Sequence, residues 1–398
     1  MGGKTQIDKW HFSSVHPHTP KRLSLFTVEL TQQCNFRCRY CCFSGEYRDR
    51  RIHNSNVMSM NTMHQTVQFI LQNRCTERLT IVTFYGGEAL LELNRIKWMI
   101  TALRNKLGKN VGFSISSNGY ALLPSTVDWL CSIDDCEIYI TIDGYKDLHD
   151  ANRRTISQKP TYEKIISNLE YFKKNYPSDY KQRVHFLVTL ERWLYLPDVS
   201  EFWKTNKFFD GIIPKHLSFV LPKNLDEMEN PKSSLEERKN VLEIALERYK
   251  LGEKSLLTQQ FIEWTDNIYR GMQNINNGNN ISILTCLDDM YRTFISTEGN
   301  IYICERFCSD YTIGKVSEQT IDESKLNNIE KLFIERRNRI CAYCSEAPLC
   351  SFCMTSLNYS DDELFALCKI ERSMVNLIRE YAWKRRMHDR EQQLLFNT

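Results

Sequence analysis

The chain has no long apolar run and no excess of charge of one sign. Its 398 residues carry 52 Lys and Arg against 49 Asp and Glu, a formal charge of +3. A surface so balanced gives no electrostatic reason to bind nucleic acid. No stretch approaches the roughly 20 apolar residues that a membrane-spanning helix needs, and the segment from Met1 to Asp8 lacks the apolar core of a secretory signal. Myristoylation is excluded by Gln6, which stands where Ser or Thr is required. No fixed-period repeat points to a solenoid. These absences leave a chain expected in the cytoplasm, without membrane or nucleic-acid partners, and long enough for two to three domains.

Cysteine, by contrast, is abundant: there are fifteen. In a reducing compartment clustered cysteines serve metal binding or catalysis more often than disulfides. Three of them, Cys34, Cys38 and Cys41, form a CxxxCxxC loop directly after the apolar stretch Leu25 to Leu30. Three thiolates on one short loop can hold three irons of a [4Fe–4S] cluster. A fully ligated electron-transfer cluster takes four cysteines, so the fourth iron is left for a small molecule. Zinc also suits short cysteine spacings, but it favours paired CxxC knuckles with a fourth ligand. Neither His53 nor Cys42 is spaced to supply one. Cys42, next to Cys41, is expected to point elsewhere as an idle or buried thiol, and Cys75, Cys131 and Cys136 to lie in the core.

From residue 24 to about 222, short β-rich runs alternate with helical patterns, the signature of βα units around a parallel sheet. Strands are expected at Ser24–Leu30, Leu79–Tyr85, Gly112–Ser116, Glu137–Ile142, Val184–Thr189 and Leu217–Leu221, with helices including Met60–Asn73, Asn94–Leu107 and Thr161–Asn175. Six such units make an α/β, partial (β/α)6 TIM-type barrel rather than a closed one. An N-terminal extension (1–23) precedes it. A helical connector (223–283) follows, with an amphipathic helix over Ser233–Leu251, then a cysteine-rich domain (284–375) and a helical tail (376–398) whose helix begins near Cys368.

Several strand ends carry chemistry. Gly86 and Gly87 allow close backbone approach and place the Glu88 carboxylate where an ammonium group would meet it. Ser116, Ser117 and Asn118 offer hydroxyl and amide groups in a turn, Thr141 and Asp143 end the next strand, and Arg153 supplies a fork suited to a carboxylate. Asp143 is read either as a general base or, better, as an acceptor for local backbone donors. Tyr40, Phe43 and Tyr47 are read as walls for an adenine or as ordinary packing.

In this order and spacing, the cysteine loop with Tyr40 before its third cysteine, then GGE, SSNG and TIDG, resembles the radical S-adenosylmethionine (SAM) superfamily. The resemblance implies that SAM binds the open iron, with Tyr40, Gly86, Gly87, Glu88, Ser116, Ser117, Asn118, Thr141 and Arg153 around it. Cys286, Gly299, Cys304 and the run Cys341-x₂-Cys344-x₅-Cys350-x₂-Cys353 with Cys368 resemble the SPASM domain. That likeness implies two auxiliary [4Fe–4S] clusters, three in all: an outer one on Cys341, Cys344, Cys350 and Cys368, and an inner one on Cys286, Cys304 and Cys353, with Cys308 the candidate fourth ligand. The usual pattern has three residues between the last pair of the run, and here there are two, Ser351 and Phe352. Taken alone, the Cys341 to Cys353 run would also suit a zinc knuckle.

Proteins of this layout mostly modify ribosomally made peptides. The resemblance therefore implies a peptide-modifying oxidoreductase forming a thioether or carbon–carbon crosslink. The alternatives are oxidation of Cys or Ser to formylglycine as in sulfatase maturation, peptide epimerisation, or a non-catalytic cluster protein that carries electrons or acts as a scaffold. Implied partners are a precursor peptide and a flavodoxin- or ferredoxin-type electron donor. About 23 residues before the first barrel strand are too few for a leader-recognition domain, which leaves the connector, the tail or a separate leader-binding protein. The basic triplet Lys384-Arg385-Arg386 is read as a solvated helix face or as a site for an acidic leader.

Overall fold

The computed structural model describes residues 9–14, 23–47, 50–273, 275–276, 280–283, 292–307, 309–350 and 352–396. Cys286 and Cys308 lie outside the described residues. The strands are β1 (His11–Ser14), β2 (Leu25–Thr31), β3 (Thr80–Gly86), β4 (Val111–Ser117), β5 (Cys136–Thr141), β6 (Val184–Leu190), β7 (His216–Phe219), β8 (Ile275–Asn276), β9 (Asn280–Ile283), β10 (Arg292–Ile295), β11 (Asn300–Tyr302), β12 (Gly314–Lys315) and β13 (Thr320–Ile321). The helices are α1 (Met60–Asn73), α2 (Leu93–Leu107), α3 (Pro124–Cys131), α4 (Lys146–Asn152), α5 (Tyr162–Asn175), α6 (Pro177–Arg183), α7 (Leu196–Thr205), α8 (Leu225–Glu229), α9 (Leu235–Lys250), α10 (Leu256–Gln273), α11 (Glu323–Ile340) and α12 (Asp361–Phe396).

Strands β2 to β7 pair in parallel in chain order, each with the next. Alternation in sequence becomes alternation in burial: Val184, Phe186, Val188 and Leu190 of β6 are buried while the residues between them are half-buried. The buried set meets the covering helices, such as α1 with Met63, Val67, Phe69 and Ile70, and the other set faces the barrel interior. Local signals agree with the packing. Ser59 caps α1 by accepting from Thr62 N, and Ser234 caps α9 by accepting from Glu237 N.

The cysteine-rich part is not separated from the barrel. Strand β10 pairs in parallel with β2, and β11, β12 and β13 extend the same sheet in antiparallel order, giving ten strands. The seam is polar as well: buried Glu29 accepts from Thr297 N and pairs with Arg51. Sequence periodicity could not show this join, because it depends on pairing across more than 250 residues.

Three other expectations change. The tail helix begins at Asp361, seven residues before Cys368. The N-terminal extension is built into the fold: β1 pairs in parallel with β9, and Trp10 N donates to Ala342 O at 2.8 Å. In the basic triplet, Lys384 pairs with Glu380, and Arg385 is taken by Thr265 and Asp266. Cys75 and Cys136 are buried as expected, and Cys131 is half-buried. No two of the thirteen described cysteines are joined by a disulfide.

Candidate active site

The cysteine loop leaves the C-terminal end of β2, where a register shift between Glu29 and Thr31 turns the chain out of the sheet. It is seated on the glycines that end β3. Gly87 N donates to Thr31 O at 2.9 Å and Glu88 N to Gln33 O at 2.8 Å. A Cβ at Gly87 would lie 2.0 Å from Gln33 O, and one at Gly86 2.2 Å from Thr31 O, with φ at +147°. The close approach these glycines permit is thus to the backbone of the cysteine loop itself. Gly87→Ala is expected to push the loop off its seat, at a cost of about 1–3 kcal/mol, and to lower the iron bound there; iron analysis and thermal unfolding of the variant check this.

A cavity of about 340 Å³ opens over the strand ends, lined by Cys34, Cys38 and Cys41 on one side and by Gly86, Gly87, Glu88, Ser116, Ser117, Asn118, Thr141 and Arg153 beneath and beside them. Tyr40 also lines it. All of the barrel residues singled out in the sequence therefore come together except Asp143, which lies just behind the wall and is fully buried. Glu88 is spent on the fold: its carboxylate accepts from Leu90 N, Ser117 Oγ and Asn118 N at 3.0, 2.8 and 2.6 Å. Asn118 in turn donates to Asn35 of the cysteine loop at 2.7 Å. Together these bonds tie the ends of β3 and β4 to the loop.

Asp143 also has structural partners. It accepts from Tyr40 OH at 2.5 Å and from Thr189 N at 3.2 Å, and Arg153 Nη1 donates to the same Tyr40 oxygen at 2.8 Å. Behind them His149 Nδ1 accepts from Asp143 N, which leaves Nε2 to carry the proton and donate to Thr161 Oγ1. Burial holds that imidazole well below its ordinary value, so it stays neutral. The network locks Tyr40 and Arg153 against the cavity.

Burial pushes Asp143 up from 3.8 to about 6, against the opposing pull of Arg153 and Tyr40. In that window the folded chain holds a proton there that the unfolded chain releases. The stabilisation from the neutral carboxyl is complete below pH 3.8 and is lost as pH rises through about 6, amounting to at most about 3 kcal/mol. Urea unfolding of the metal-free chain at pH 4.5 and 7 is expected to show this loss, and Asp143→Asn to flatten it.

Does the site fit an iron–sulfur cluster with SAM? Burial pushes the thiol of Cys34 up to about 12, and those of Cys38 and Cys41 to about 11. Such thiols are neutral until a metal displaces their protons. Among the described residues no three His, Cys, Asp or Glu side chains converge on one point that would hold a single metal ion. Buried Arg153 keeps its Nε without a hydrogen-bond partner among the described residues. Three thiols on one loop lining the cavity suit a cluster with separate irons, and the Arg153 guanidinium suits a ligand bearing a carboxylate, so these residues fit.

Two residues are not where spacing placed them. His53 Nε2 lies 3.4 Å from Cys41 Sγ, because residues 53–57 fold back on β2 through Asn54 N to Gln32 O and Gln32 N to Asn56 O. Cys42 is not buried: it opens onto the cavity. On that side stand Tyr85, Glu305, Arg306 and Tyr359, which sequence reading had not singled out. The one signal available was the position of Glu305 directly after Cys304.

In the cysteine-rich part, Cys341, Cys344 and Cys350 sit on the loop after α11. Cys368 on α12 lies within electrostatic reach of all three. Cys304 is half-buried, and Cys353 is exposed with its Sγ 2.9 Å from Thr355 Oγ1. The question of the inner fourth ligand falls on Cys308, outside the described residues.

Residues 28–191 match the family model of the Radical SAM superfamily. The chain is 25% identical over 346 residues to a cysteine-type anaerobic sulfatase-maturating enzyme of Clostridium novyi (strain NT), covering 83% of this chain and 87% of that one. It is 22% identical over 396 residues to a protein of the same description from Clostridium perfringens (strain 13 / Type A), covering 91% and 97%. A solved structure described as native anSMEcpe with bound AdoMet and Cp18Cys peptide shares the fold, with a TM-score of 0.64 and 20% identity over 92% of this chain and 99% of that one. The likeness in fold extends through the cysteine-rich part. With the cysteine loop seated on Gly86 and Gly87 above a cavity at the strand ends, residues 28–191 of this chain are identified as a Radical SAM domain.

Proposed function

We propose that this enzyme oxidises a cysteine or serine side chain of a polypeptide to an aldehyde, the reaction class of a sulfatase maturase. The observation that carries the reading is Glu305. It lines the cavity on the side of Cys42 and directly follows Cys304, an implied ligand of the inner auxiliary cluster. Of the other carboxylates that line it, Glu88 is taken by three donors and Glu363 accepts from Ser360 N, whereas Glu305 has Arg306 at 4.0 Å.

Cys34, Cys38 and Cys41 would hold the cluster and the strand-end residues would hold SAM; bound there, the pair would supply hydrogen-atom abstraction from the substrate, and auxiliary clusters would take up the remaining electron. The chain's own residues do the rest. Arg153, held by Tyr40, would supply a guanidinium to the SAM carboxylate. Glu305 takes the proton of the substrate thiol or hydroxyl as the carbon–heteroatom double bond forms; from serine this is the aldehyde itself, and from cysteine a thioaldehyde that water hydrolyses to the aldehyde with release of hydrogen sulfide. Tyr85 and Tyr359 wall the cavity against water. An electron donor of the flavodoxin or ferredoxin type completes the cycle.

Two relatives matched over most of their length carry the sulfatase-maturating description, which supports this reading over crosslinking. The test is incubation of the reconstituted, reduced protein with SAM and a Cys- or Ser-bearing sulfatase peptide. The expected products are 5′-deoxyadenosine and a peptide that an aldehyde reagent captures. A peptide that loses two hydrogens without an aldehyde points to the crosslink, and absence of 5′-deoxyadenosine with clusters intact sinks the enzymatic reading.

A further inference from the structure

Arg337, in the last turn of α11, is a buried cation without a carboxylate. It is 7% exposed. The neighbouring arginines take the nearby acids: Arg336 and Arg339 pair with Asp361, and Arg379 with Glu346. Arg337 instead aims Nη1 at Cys350 Sγ, 3.6 Å away, and donates Nη2 to Ala347 O. Its Nε has no hydrogen-bond partner among the described residues. The groups acting most on its charge are the sulfurs of Cys350, Cys341 and Cys368.

A guanidinium buried this far is costly unless an anion answers it. Neutral thiols do not. Thiolates bound to iron do, because a cluster on four cysteines carries net negative charge.

The N-terminal strand closes the arrangement. Phe12 lies over the guanidinium, its ring centre 4.7 Å from Cζ. Asn338 holds the Phe12 backbone through two hydrogen bonds, and Trp10 Nε1 donates to Cys344 O at 3.1 Å. Phe12, Cys341 and Ala347 share one small core with Trp10 and Cys344 at its margin. Water is thereby kept from the charge, and an electrostatic interaction in a dry site is stronger than one in solvent.

We propose that Arg337, sealed beneath Phe12, is the counter-charge of a cluster held by Cys341, Cys344, Cys350 and Cys368, and that it raises that cluster's reduction potential. A fixed positive charge favours the more negative, reduced state, one of the levers by which proteins set such potentials. The inference rests on reading those four cysteines as cluster ligands. Arg337 acts as a positioning and charge-balancing residue and does not touch substrate.

The test uses the reconstituted full chain with Cys34, Cys38 and Cys41 replaced by alanine, so that only auxiliary clusters remain. Redox titrations followed by electron paramagnetic resonance compare Arg337, Arg337→Lys and Arg337→Gln. The expected result is one potential shifted to more negative values in Arg337→Gln and largely restored in Arg337→Lys. Loss of outer-cluster iron in Arg337→Gln with retention in Arg337→Lys equally supports a requirement for charge. Unchanged potentials in both, or the same change or the same iron loss in both, overturns the proposal and leaves Arg337 a structural brace. Absence of any auxiliary cluster in the parent protein is a different failure, that of the ligand reading.

Discussion

Replacement of Cys34, Cys38 or Cys41 by alanine, one at a time, is expected to abolish formation of 5′-deoxyadenosine from SAM. The fall should reach background, at least about six orders of magnitude, since the whole catalysed rate depends on the metal site. A [4Fe–4S] cluster on this loop has three protein ligands and no spare. The fold should survive. All three side chains are only half-buried, on a loop held by backbone bonds such as Arg37 N to Arg154 O and Arg39 N to Asn152 O, and the parallel sheet below is packed by other residues. Circular dichroism with iron analysis separates the two effects: an unfolded variant loses helix signal, and a cluster-free variant keeps it. Retained SAM cleavage in any of the three alanine variants would remove the cysteine loop from the chemistry.

Glu305→Gln is expected to produce the second largest effect, and one of a different kind. If Glu305 takes the substrate proton, its amide cannot, and aldehyde formation should fall by roughly 10²–10⁴-fold, the usual contribution of a general base. SAM cleavage should continue, because Glu305 belongs to the segment after Cys304 and is not one of the strand-end residues read as holding SAM. The variant would then turn over SAM without product, and the ratio of 5′-deoxyadenosine to aldehyde is the measurement. Glu305→Asp should recover part of the coupling. Equal loss of both activities would instead mean that Glu305 shapes the cavity as a whole.

Reading the sequence located six barrel strands to within a residue or two at most ends, because period-two burial is written locally in runs such as Val184 to Leu190. It collected the strand-end residues because βα barrels gather them at one rim. What it assigned to individual side chains fared differently. Glu88 looked available for chemistry, yet it is taken by Leu90, Ser117 and Asn118; Asp143 has the structural role that its turn favoured, with donors from Tyr40 and Thr189 far along the chain. His53 and Cys42 looked distant or idle, yet the backbone folds one beside Cys41 and opens the other to the cavity.

The sequence by itself determined the parallel sheet, the three-cysteine loop and the glycines beneath it, since each follows from local periodicity, spacing or steric need. Only the tertiary structure decided which groups are free to act. Glu305 facing the cavity, the unpartnered Nε of Arg153, and Arg337 enclosed by Phe12 and the cysteines all depend on contacts between segments far apart in the chain. Availability for chemistry depends on what remains after packing has satisfied every other hydrogen bond and charge. That remainder is a property of the folded molecule and not of any segment within it.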